Sequence, residues 1–260
     1  MKISVALCTY NGGSFLTEQL QSLFDQSLKI NEIVICDDRS TDNTIKIIKE
    51  FDFKYPGIIQ LHINQKKLGS KYNFEKAISL TSGDYIFLSD QDDIWIPSKV
   101  ERVIDQFSKK KNIQLIFSNG DLIDEYGIAL NSTLWDEWGF NTAQRELWKD
   151  NKHAYSDLSV NNNRVTGATI VFKKELKEDI LPFKLQEGYW HDAWIAWHAA
   201  KNGGLYFIEE PLIKYRVHSG QLVGIGNGLI FSNGDERVTF YILQKRRALN
   251  LLRKFKLFFK

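Results

Sequence analysis

Short apolar runs alternate with helix-like segments over the first 120 residues, and this alternation constrains the fold more than any other feature of the chain. The apolar runs are near-continuous, as in strands of a parallel sheet with helices on both faces, and lie at residues 3–8, 32–36, 58–63, 85–88 and 114–117. The helix-like segments lie at residues 14–27, 41–51, 70–81 and 97–109. Their candidate start residues are Ser14, Ser40 or Thr41, Ser70 and Pro97. This order predicts an α/β fold with a doubly wound, Rossmann-like, mostly parallel sheet and right-handed crossovers.

Beyond residue 120 the pattern is less regular. Residues 121–165 are rich in Trp, Asn and Asp and have no clear period, so we predict a long loop or a set of short helices over the edge of the sheet. A strand at 166–172, a helix at 190–200 and strands at 205–208 and 212–217 follow. Neither an internal repeat nor a low-complexity linker interrupts the chain, which favours one domain followed by a C-terminal tail.

The composition bears on the compartment. Cys8 and Cys36 each lie in an apolar run, so we expect small core residues rather than a disulfide framework. The N-terminus has a single Lys and no small-residue cleavage site, which argues against a signal peptide. No stretch approaches the roughly 18 apolar residues of a membrane-spanning helix. We therefore expect a cytoplasmic protein.

The C-terminal tail is strongly basic. Residues 245–260 hold seven Lys and Arg and no acid, although the whole chain carries a net charge of only +2. Leu249, Leu252, Phe255 and Phe259 fall on one helical face, which predicts a basic amphipathic helix. Such a helix either contacts the anionic inner face of a membrane or docks on the domain with its basic face in solvent. Basic residues are not spread over a groove-sized surface, so nucleic acid is not an expected partner.

Polar residues follow three of the predicted strands at the point where each strand ends. They lie at residues 9–13, 37–40 and 90–93. Ligands of an open parallel sheet bind outside the carboxyl ends of its strands, so we expect these three groups to converge on one rim. Gly12 and Gly13 form a generic turn signal and match neither GxGxxG nor a P-loop, which argues against Rossmann dinucleotide binding and against Walker NTPases.

Three carboxylates within four residues, Asp90, Asp92 and Asp93, form the sharpest single feature of the chain. Their repulsion is costly unless a cation or a helix N-terminus offsets it. Mg²⁺ or Mn²⁺ takes oxygen ligands and usually binds through one or two carboxylates plus substrate phosphates, so the cluster predicts a site for a metal and a diphosphate. The alternative is that Asp93 or Ser98 caps the helix that starts near Pro97.

Several other polar residues are open to a functional and a structural interpretation. Asp38 either accepts hydrogen bonds from a ribose or base or caps the next helix. Asp192 lies among aromatic residues at a helix start, where burial raises a carboxyl pKa and the helix N-terminus lowers it, so it is either a base or a cap. His191 and His218 are either ligands or hydrogen-bonding core residues. The tryptophans either stack on sugar faces or pack in the core, and they include Trp135, Trp138, Trp148, Trp190, Trp194 and Trp197.

Three stretches, taken in order, resemble the N-terminal half of family 2 glycosyltransferases of the GT-A fold. They are CTYNGGSFLTEQLQSLFDQS, EIVICDDRSTDNT and GSKYNFEKAISLTSGDYIFLSDQDDIW, which lie within roughly the first 110 residues. The Asp-Gln-Asp-Asp-Ile-Trp version is most similar to bacterial enzymes of surface-polysaccharide assembly, including rhamnosyltransferases. The second half is similar more loosely, through VTGATIVF, WHDAW and YRVHSGQ.

The resemblance implies a metal-dependent, inverting enzyme that moves a sugar from a UDP- or dTDP-sugar to a hydroxyl of a glycan or lipid-linked acceptor, with Mg²⁺ or Mn²⁺ as cofactor. Residues 1–120 would be the nucleotide-sugar-binding half, 121–244 the acceptor-binding and catalytic half, and 245–260 a tail at the inner face of the cell membrane. Two departures matter. Arg39 stands where relatives often have Gly, so contacts near the base differ. The Gln-x-x-Arg-Trp motif of processive synthases is missing, which implies a single transfer per acceptor encounter.

The resemblance also implies roles for residues that match its motifs in the donor site. Thr9 and Asn11 would line the pocket for the base, and Asp38 would contact the base or the ribose. Lys71 and Asp90 would belong to the same nucleotide-sugar site, with Asp90 near the ribose.

For the metal and the chemical step, the resemblance implies five further residues. Asp92 would be the main metal ligand, His218 would contact the metal or the pyrophosphate, and Asp93 would help through a water. Asp192 matches the position of the catalytic base, and His191 lies beside it as a supporting residue.

Two other functions fit the residues less well. A sugar nucleotidyltransferase also uses a Rossmann-like sheet with paired Asp residues and Mg²⁺, but it needs a Gly-rich basic loop after the first strand, and residues 9–14 contain no Lys or Arg. A non-catalytic nucleotide-sugar or glycan-binding module would keep the fold and not the chemistry. The presence of both Asp92 and Asp192 argues against it.

Overall fold

The computed structural model describes residues 1–186 and 188–221, so the basic tail at 245–260 lies outside the described residues. The strands are β1 (Ile3–Thr9), β2 (Glu32–Asp37), β3 (Ile59–Ile63), β4 (Tyr85–Ser89), β5 (Ile94–Trp95), β6 (Leu115–Ile123), β7 (Ala129–Thr133), β8 (Val171–Lys173) and β9 (Leu205–Arg216). The helices are α1 (Leu16–Phe24), α2 (Thr44–Lys54), α3 (Gly69–Leu80), α4 (Lys99–Lys109), α5 (Leu134–Glu137), α6 (Thr142–Trp148), α7 (Asn151–Ser159), α8 (Leu176–Ile180) and α9 (His191–Lys201).

The strands form one mixed sheet in the order β3-β2-β1-β4-β8-β6-β9-β5, with β7 beside β6. β1 pairs in parallel with β2 and with β4, and β2 pairs in parallel with β3. The predicted α/β class and the parallel arrangement of the first four strands are therefore confirmed. The second half differs from the prediction, because β8 runs antiparallel to both β4 and β6 and separates them.

Helices cover the parallel strands on both faces because the direction in which successive strands are added across the sheet reverses once, after β3. Right-handed crossovers from β1 through α1 to β2, and from β2 through α2 to β3, place α1 and α2 on one face. The return through α3 to β4 places α3 on the other face. Phe24 stacks on Tyr55 with ring centroids 3.8 Å apart, which joins α1 to the end of α2. Phe74 of α3 stacks on His191 of α9 at 4.3 Å, which brings α9 to the opposite face.

The helix starts differ from the predicted ones. The helices α1 to α4 follow the N-cap residues Phe15, Asn43, Leu68 and Ser98, and none of these side chains accepts a capping hydrogen bond. The polar side chains near the helix starts bond to neighbouring loops instead. The carboxylate of Asp42, for example, accepts the Gly13 amide at 2.9 Å. Side chains at this end of the sheet therefore hold the loops together, and Asp42 also accepts the amide of Thr44, the first residue of α2, at 3.0 Å.

The irregular segment 121–165 contains more structure than a loop. β6 extends to Ile123, and β7 and the short helices α5 to α7 follow, which agrees with the alternative of short helices. The predicted strand at 166–172 is wrong in its first part, where a 3-10 turn, Gly167–Thr169, precedes β8. The two strands predicted at 205–208 and 212–217 are one strand, β9. Pro211 lies at a shift in its register with β6, and Pro is tolerated in a strand at such irregularities because it has no N–H.

Two observations concern the cysteines and the apolar stretches of the chain. Cys8 and Cys36 are buried, free and in register on β1 and β2, as expected of core residues. Within the ranges that the structure describes, no helix has the length and apolar character to cross a bilayer.

Candidate active site

The carboxyl ends of β1, β2 and β4 meet at one rim, as the sequence predicts. Thr9 is in register with Asp37, and Leu7 with Ser89, so the three following loops start side by side. The Gln91 side chain joins two of these loops. It accepts a hydrogen bond from the Tyr10 amide at 2.8 Å and donates one to the Tyr10 carbonyl at 3.1 Å.

The polar residues at the ends of β1 and β2 hold the rim together. The Thr9 hydroxyl donates to the buried carboxylate of Asp37 at 2.8 Å, and Asp37 also accepts the Ser40 amide at 2.8 Å. The Asn11 side chain accepts the Thr41 amide at 2.8 Å, and its backbone adopts a left-handed φ of 49°. These contacts fix the shape of the rim.

Asp38 bonds to the start of α3 and not to the next helix along the chain. Its carboxylate accepts hydrogen bonds from the amides of Leu68 and Gly69 at 2.8 and 2.9 Å and from the Asn64 side chain at 2.9 Å. Only 6% of Asp38 is exposed. The capping alternative for α2 is therefore wrong, and Asp38 joins the end of β2 to α3.

The backbone at Arg39 adopts a conformation that favours Gly, the residue that the family resemblance implies at this position. Its φ of 69° lies in the left-handed region, which Gly adopts freely and Arg rarely. The guanidinium donates to the Gln65 carbonyl at 2.9 Å, and this bond reaches across to the loop before α3.

The acidic cluster does not cap α4. Asp92 Oδ2 lies 2.9 Å from His218 Nε2, although 126 residues separate them in the sequence. Asp93 is buried and accepts the Arg216 amide through Oδ1 at 3.1 Å. Its Oδ2 has no hydrogen-bond partner among the residues that the structure describes. The cluster thus turns into the end of β9 and not towards the helix.

The electrostatics of the cluster match the expected repulsion. Burial, then the charges of Asp92 and Asp192, raise the pKa of Asp90 to about 7. Burial also raises the pKa of Asp93, and Asp92 adds to this effect. A cation near these carboxylates would lower their charging cost, which favours a metal at this place.

Asp92 and His218 are the side chains best placed to hold a divalent cation. Within residues 1–186 and 188–221, no group of three or more His, Cys, Asp or Glu side chains forms a complete metal site. Mg²⁺ and Mn²⁺ commonly use one or two protein ligands and complete their shell with substrate phosphates, so a two-ligand site fits such a metal.

Arg216 is a residue of this site that the sequence did not reveal. Its buried side chain donates to the Asp92 carbonyl at 2.9 Å and to the Glu125 carbonyl at 3.2 Å, and it pairs with Glu18. One side chain therefore connects the acidic loop to α1 and to the β6–β7 turn. The stretch YRVHSGQ contains Arg216, but an Arg at the end of a strand is expected on the surface of a protein.

We expect Arg216→Met to lower the free energy of unfolding by about 2–4 kcal/mol, because the hydrogen bonds and the ion pair of a buried guanidinium are lost at once. Arg102 offers a matched control, since it pairs with Glu210 at 3.6 Å with both side chains about half exposed. Arg102→Met should cost less than about 1 kcal/mol. Denaturant unfolding of both variants measures the difference, and equal losses would contradict the structural role of Arg216.

Asp192 lies in the first turn of α9, after the N-cap residue Trp190. Burial raises its pKa to about 6, and the nearby amides of Ala193 and Gly167 oppose this effect without cancelling it. Of the two opposing influences that the sequence predicts, burial therefore dominates. A carboxylate with this pKa is suited to accept a proton near neutral pH.

Two basic side chains lie near Asp192: His191, the preceding residue of α9, and Lys71 of α3. His191 is buried against Phe74, and burial, then the charge of Lys71, lower its pKa to about 3. Neither ring nitrogen of His191 has a hydrogen-bond partner in the described part of the chain. The Lys71 ammonium lies 4.7 Å from the centroid of the Trp190 ring, so the starts of α3 and α9 face each other.

Most of the tryptophans pack in the core. Trp135 and Trp148 are buried beside Phe117 and Phe140. Trp194 and Trp197 are half-buried, and their indole N–H groups donate to the Ile180 carbonyl and the Ser159 hydroxyl at 2.9 Å. Trp190, next to Asp192, is the half-buried tryptophan best placed to meet a substrate.

Comparisons with known proteins agree with this geometry. A sequence model of the family described as Glycosyl transferase family 2 matches residues 4–165. The chain is 30% identical over 231 residues to the dTDP-rhamnosyl transferase RfbG of Shigella flexneri, a match that covers 84% of this chain and 73% of that protein. It is 29% identical over 217 residues to the uncharacterized glycosyltransferase MJ1057 of Methanocaldococcus jannaschii, covering 83% and 70%.

Two solved structures have a similar fold. The crystal structure of S. aureus TarS 1-349 in complex with UDP has a TM-score of 0.61 at 17% identity, covering 84% of this chain and 61% of that chain. The mannosyltransferase PcManGT from Pyrobaculum calidifontis, in complex with GDP-Man and Mn²⁺, has a TM-score of 0.52 at 17% identity, covering 81% and 55%. The present chain thus spans less than two thirds of either solved chain, and at this identity the likeness concerns the fold alone.

Proposed function

Because the chain belongs to glycosyl transferase family 2 and has the GT-A fold that the sequence resemblance implied, we propose that it transfers a sugar from a dTDP- or UDP-sugar to a hydroxyl of a glycan or lipid-linked acceptor, with inversion at the anomeric carbon. The observation that carries this proposal is the 2.9 Å contact between Asp92 Oδ2 and His218 Nε2 in the acidic loop that follows β4. The similarity to a dTDP-rhamnosyl transferase favours a deoxysugar donor in bacterial surface-polysaccharide synthesis.

The donor would bind across the carboxyl ends of β1, β2 and β4. Thr9 and Asn11 would shape the pocket for the base. Asp38 would form the edge of this pocket by holding the start of α3 in place. Asp90 would lie near the ribose, and Lys71 would contact the donor from α3. In this proposal residues 1–120 form the donor half of the domain and residues 121–244 the acceptor half.

Asp92 and His218 would hold Mg²⁺ or Mn²⁺ together with oxygens of the diphosphate, and Asp93 would support this site. When bound, the metal would stabilise the negative charge that develops on the leaving diphosphate. The 2.9 Å contact between Asp92 and His218 supports the assignment, because both side chains already point to one place.

Asp192 would act as the general base. Its ionised carboxylate would take the proton from the acceptor hydroxyl, whose oxygen then attacks the anomeric carbon from the face opposite the diphosphate. His191, neutral and buried, would support the position of Asp192 through packing. A single displacement needs no covalent bond between sugar and enzyme, so inversion follows.

A thermal-shift panel of nucleoside diphosphates with Mn²⁺ tests the donor assignment. A ligand that binds only the folded protein stabilises it by about 2.7 kcal/mol at one hundred times its Kd, which corresponds to about 5–10 °C in Tm. We expect dTDP or UDP to give this shift and GDP to give less. A shift only with triphosphates, together with release of pyrophosphate from them, would support a sugar nucleotidyltransferase instead.

The same donors, incubated with a candidate acceptor, then distinguish catalysis from binding. Donor binding without transfer or hydrolysis would favour a non-catalytic module. We also propose a cytoplasmic location at the inner face of the membrane, which rests on the basic residues of 245–260 in the sequence.

A further inference from the structure

Lys99 is a fully buried lysine below the acidic rim. It is the first residue of α4 and has no exposed surface. Its ammonium donates one hydrogen bond, to the Ala168 carbonyl at 3.0 Å, and lies 3.8 Å from the centroid of the Trp95 ring. The function proposed above gives this residue no role.

The surroundings of Lys99 favour an apolar side chain over a charged one. The other buried residues of α4 are Val100, Val103 and Phe107, and Lys99 shares their face of the helix. Burial lowers the pKa of the ammonium to about 7, and the charges of Asp93 and Asp90 oppose this effect. Because an isolated buried charge is costly, the carboxylates of the rim are what make a lysine tolerable at this position.

The hydrogen bond of Lys99 leads to the base candidate. Ala168 lies in the turn Gly167–Thr169, and this turn lies against Asp192, since a Cβ atom at Gly167 would be 3.9 Å from the Asp192 Cβ. The turn also packs closely on α9, since a Cβ atom at Gly167 would lie 2.9 Å from His191 Nε2. One side chain thus connects the helix that follows the acidic loop to the turn that packs against Asp192.

We propose that Lys99 is a positioning residue for sugar transfer. Its ammonium holds the Gly167–Thr169 turn, and through the turn it keeps Asp192 in place relative to the acidic loop at 90–93. This inference rests on the proposed function for its effect on catalysis. The link between Lys99 and the turn does not depend on that function.

The test compares Lys99→Met with Lys109→Met. Lys109 ends the same helix and is exposed, so its removal controls for the loss of a lysine from α4. We expect Lys99→Met to retain its fold and its dTDP affinity with Mn²⁺ within about threefold of the wild type, and to lose roughly 10- to 100-fold in kcat, as a small misplacement of a reacting group does. Amide exchange at Thr169 and Ile170, whose N–H groups bond within the turn, should become roughly tenfold faster. Lys109→Met should change none of these quantities.

Several outcomes would overturn the inference. They are an unchanged kcat in Lys99→Met, unchanged exchange at Thr169 and Ile170, and a parallel loss of Tm, nucleotide affinity and kcat, which would indicate a purely structural role. Lys99→Gln adds a second test, because it keeps a donor for the Ala168 carbonyl. It should lose less kcat than Lys99→Met, and equal losses in two folded variants would contradict positioning through this bond.

Two further results remain decisive. If Lys99→Met fails to fold, a fall in kcat with faster turn exchange in Lys99→Gln supports the inference, and full kcat overturns it. If the wild type transfers no sugar from any donor, the proposed function fails, and the exchange rates alone decide whether Lys99 holds the turn.

Discussion

Asp92→Asn should reduce kcat/KM for sugar transfer by roughly 10³-fold or more and should remove the response to Mn²⁺. The carboxylate of Asp92 faces His218 at 2.9 Å, and the asparagine amide keeps the shape of the side chain while losing its charge. Initial rates across a Mn²⁺ titration measure the effect. Asp105→Asn is the matched control, because Asp105 is a partly exposed acid of α4 that pairs with Lys109 at 2.6 Å.

The stability of the Asp92→Asn variant separates loss of the site from loss of the fold. Asp92 contributes to the repulsion that raises the pKa of Asp90, so its neutralisation should leave the metal-free Tm equal to or above that of the wild type. The rise in Tm with dTDP and Mn²⁺ should disappear. Full transfer by this variant in the presence of EDTA would refute the metal role of Asp92.

The donor half of the fold could be predicted from the sequence because its signals are local. The strands β1, β2 and β4 are almost entirely buried, so each reads as an apolar run, and the predicted bounds of β1 to β4 differ from the observed ones by one residue at most. Parallel strands with right-handed crossovers then fix which loops share a rim. The contact between Tyr10 and Gln91 follows from that topology, although its atoms could not be specified.

The second half depends on pairing between distant segments, which local patterns do not encode. β8 has three residues and pairs with β4 and β6, and both of these strands are far from β8 in the sequence. β9 continues through Pro211, where the composition indicates a break. The sequence therefore indicates most of the elements of this half, but neither their pairing nor the antiparallel insertion of β8.

The buried cations show a similar limit at the level of single residues. Lys99 and Arg216 read as surface residues because charged side chains are almost never fully buried unless paired. Both are buried below or beside the acidic rim. A signal for Lys99 did exist, since it lies four residues before Val103 and eight before Phe107 on the apolar face of α4. Asp92 and His218 could be associated only through the family resemblance, because 126 residues separate them.

Asp192→Asn should lower kcat roughly 10²- to 10⁴-fold, the usual contribution of a general base, while dTDP affinity stays within about threefold of the wild type. Turnover that stays near the wild-type value would place the base elsewhere. Asp52→Asn, at an exposed position on α2, is the control for removal of one acid. In the wild type, the base must be ionised, so kcat/KM should rise with pH through about 6 and then level off, because burial raises the pKa of Asp192 to about 6.

The same pKa predicts an opposite effect on stability. A carboxyl whose folded-state pKa lies above its unfolded value of 3.8 favours the fold when it is protonated, and this contribution is lost as the pH rises from about 4 to above 6. Asp192→Asn keeps the side chain neutral at every pH. At pH 8 the variant should therefore be more stable than the wild type by about 1–3 kcal/mol, and at pH 4 the two should be nearly equal. Denaturant unfolding at both pH values measures the difference. If the variant is less stable than the wild type at pH 8, the ionised carboxylate of Asp192 stabilises the fold, which would contradict this prediction.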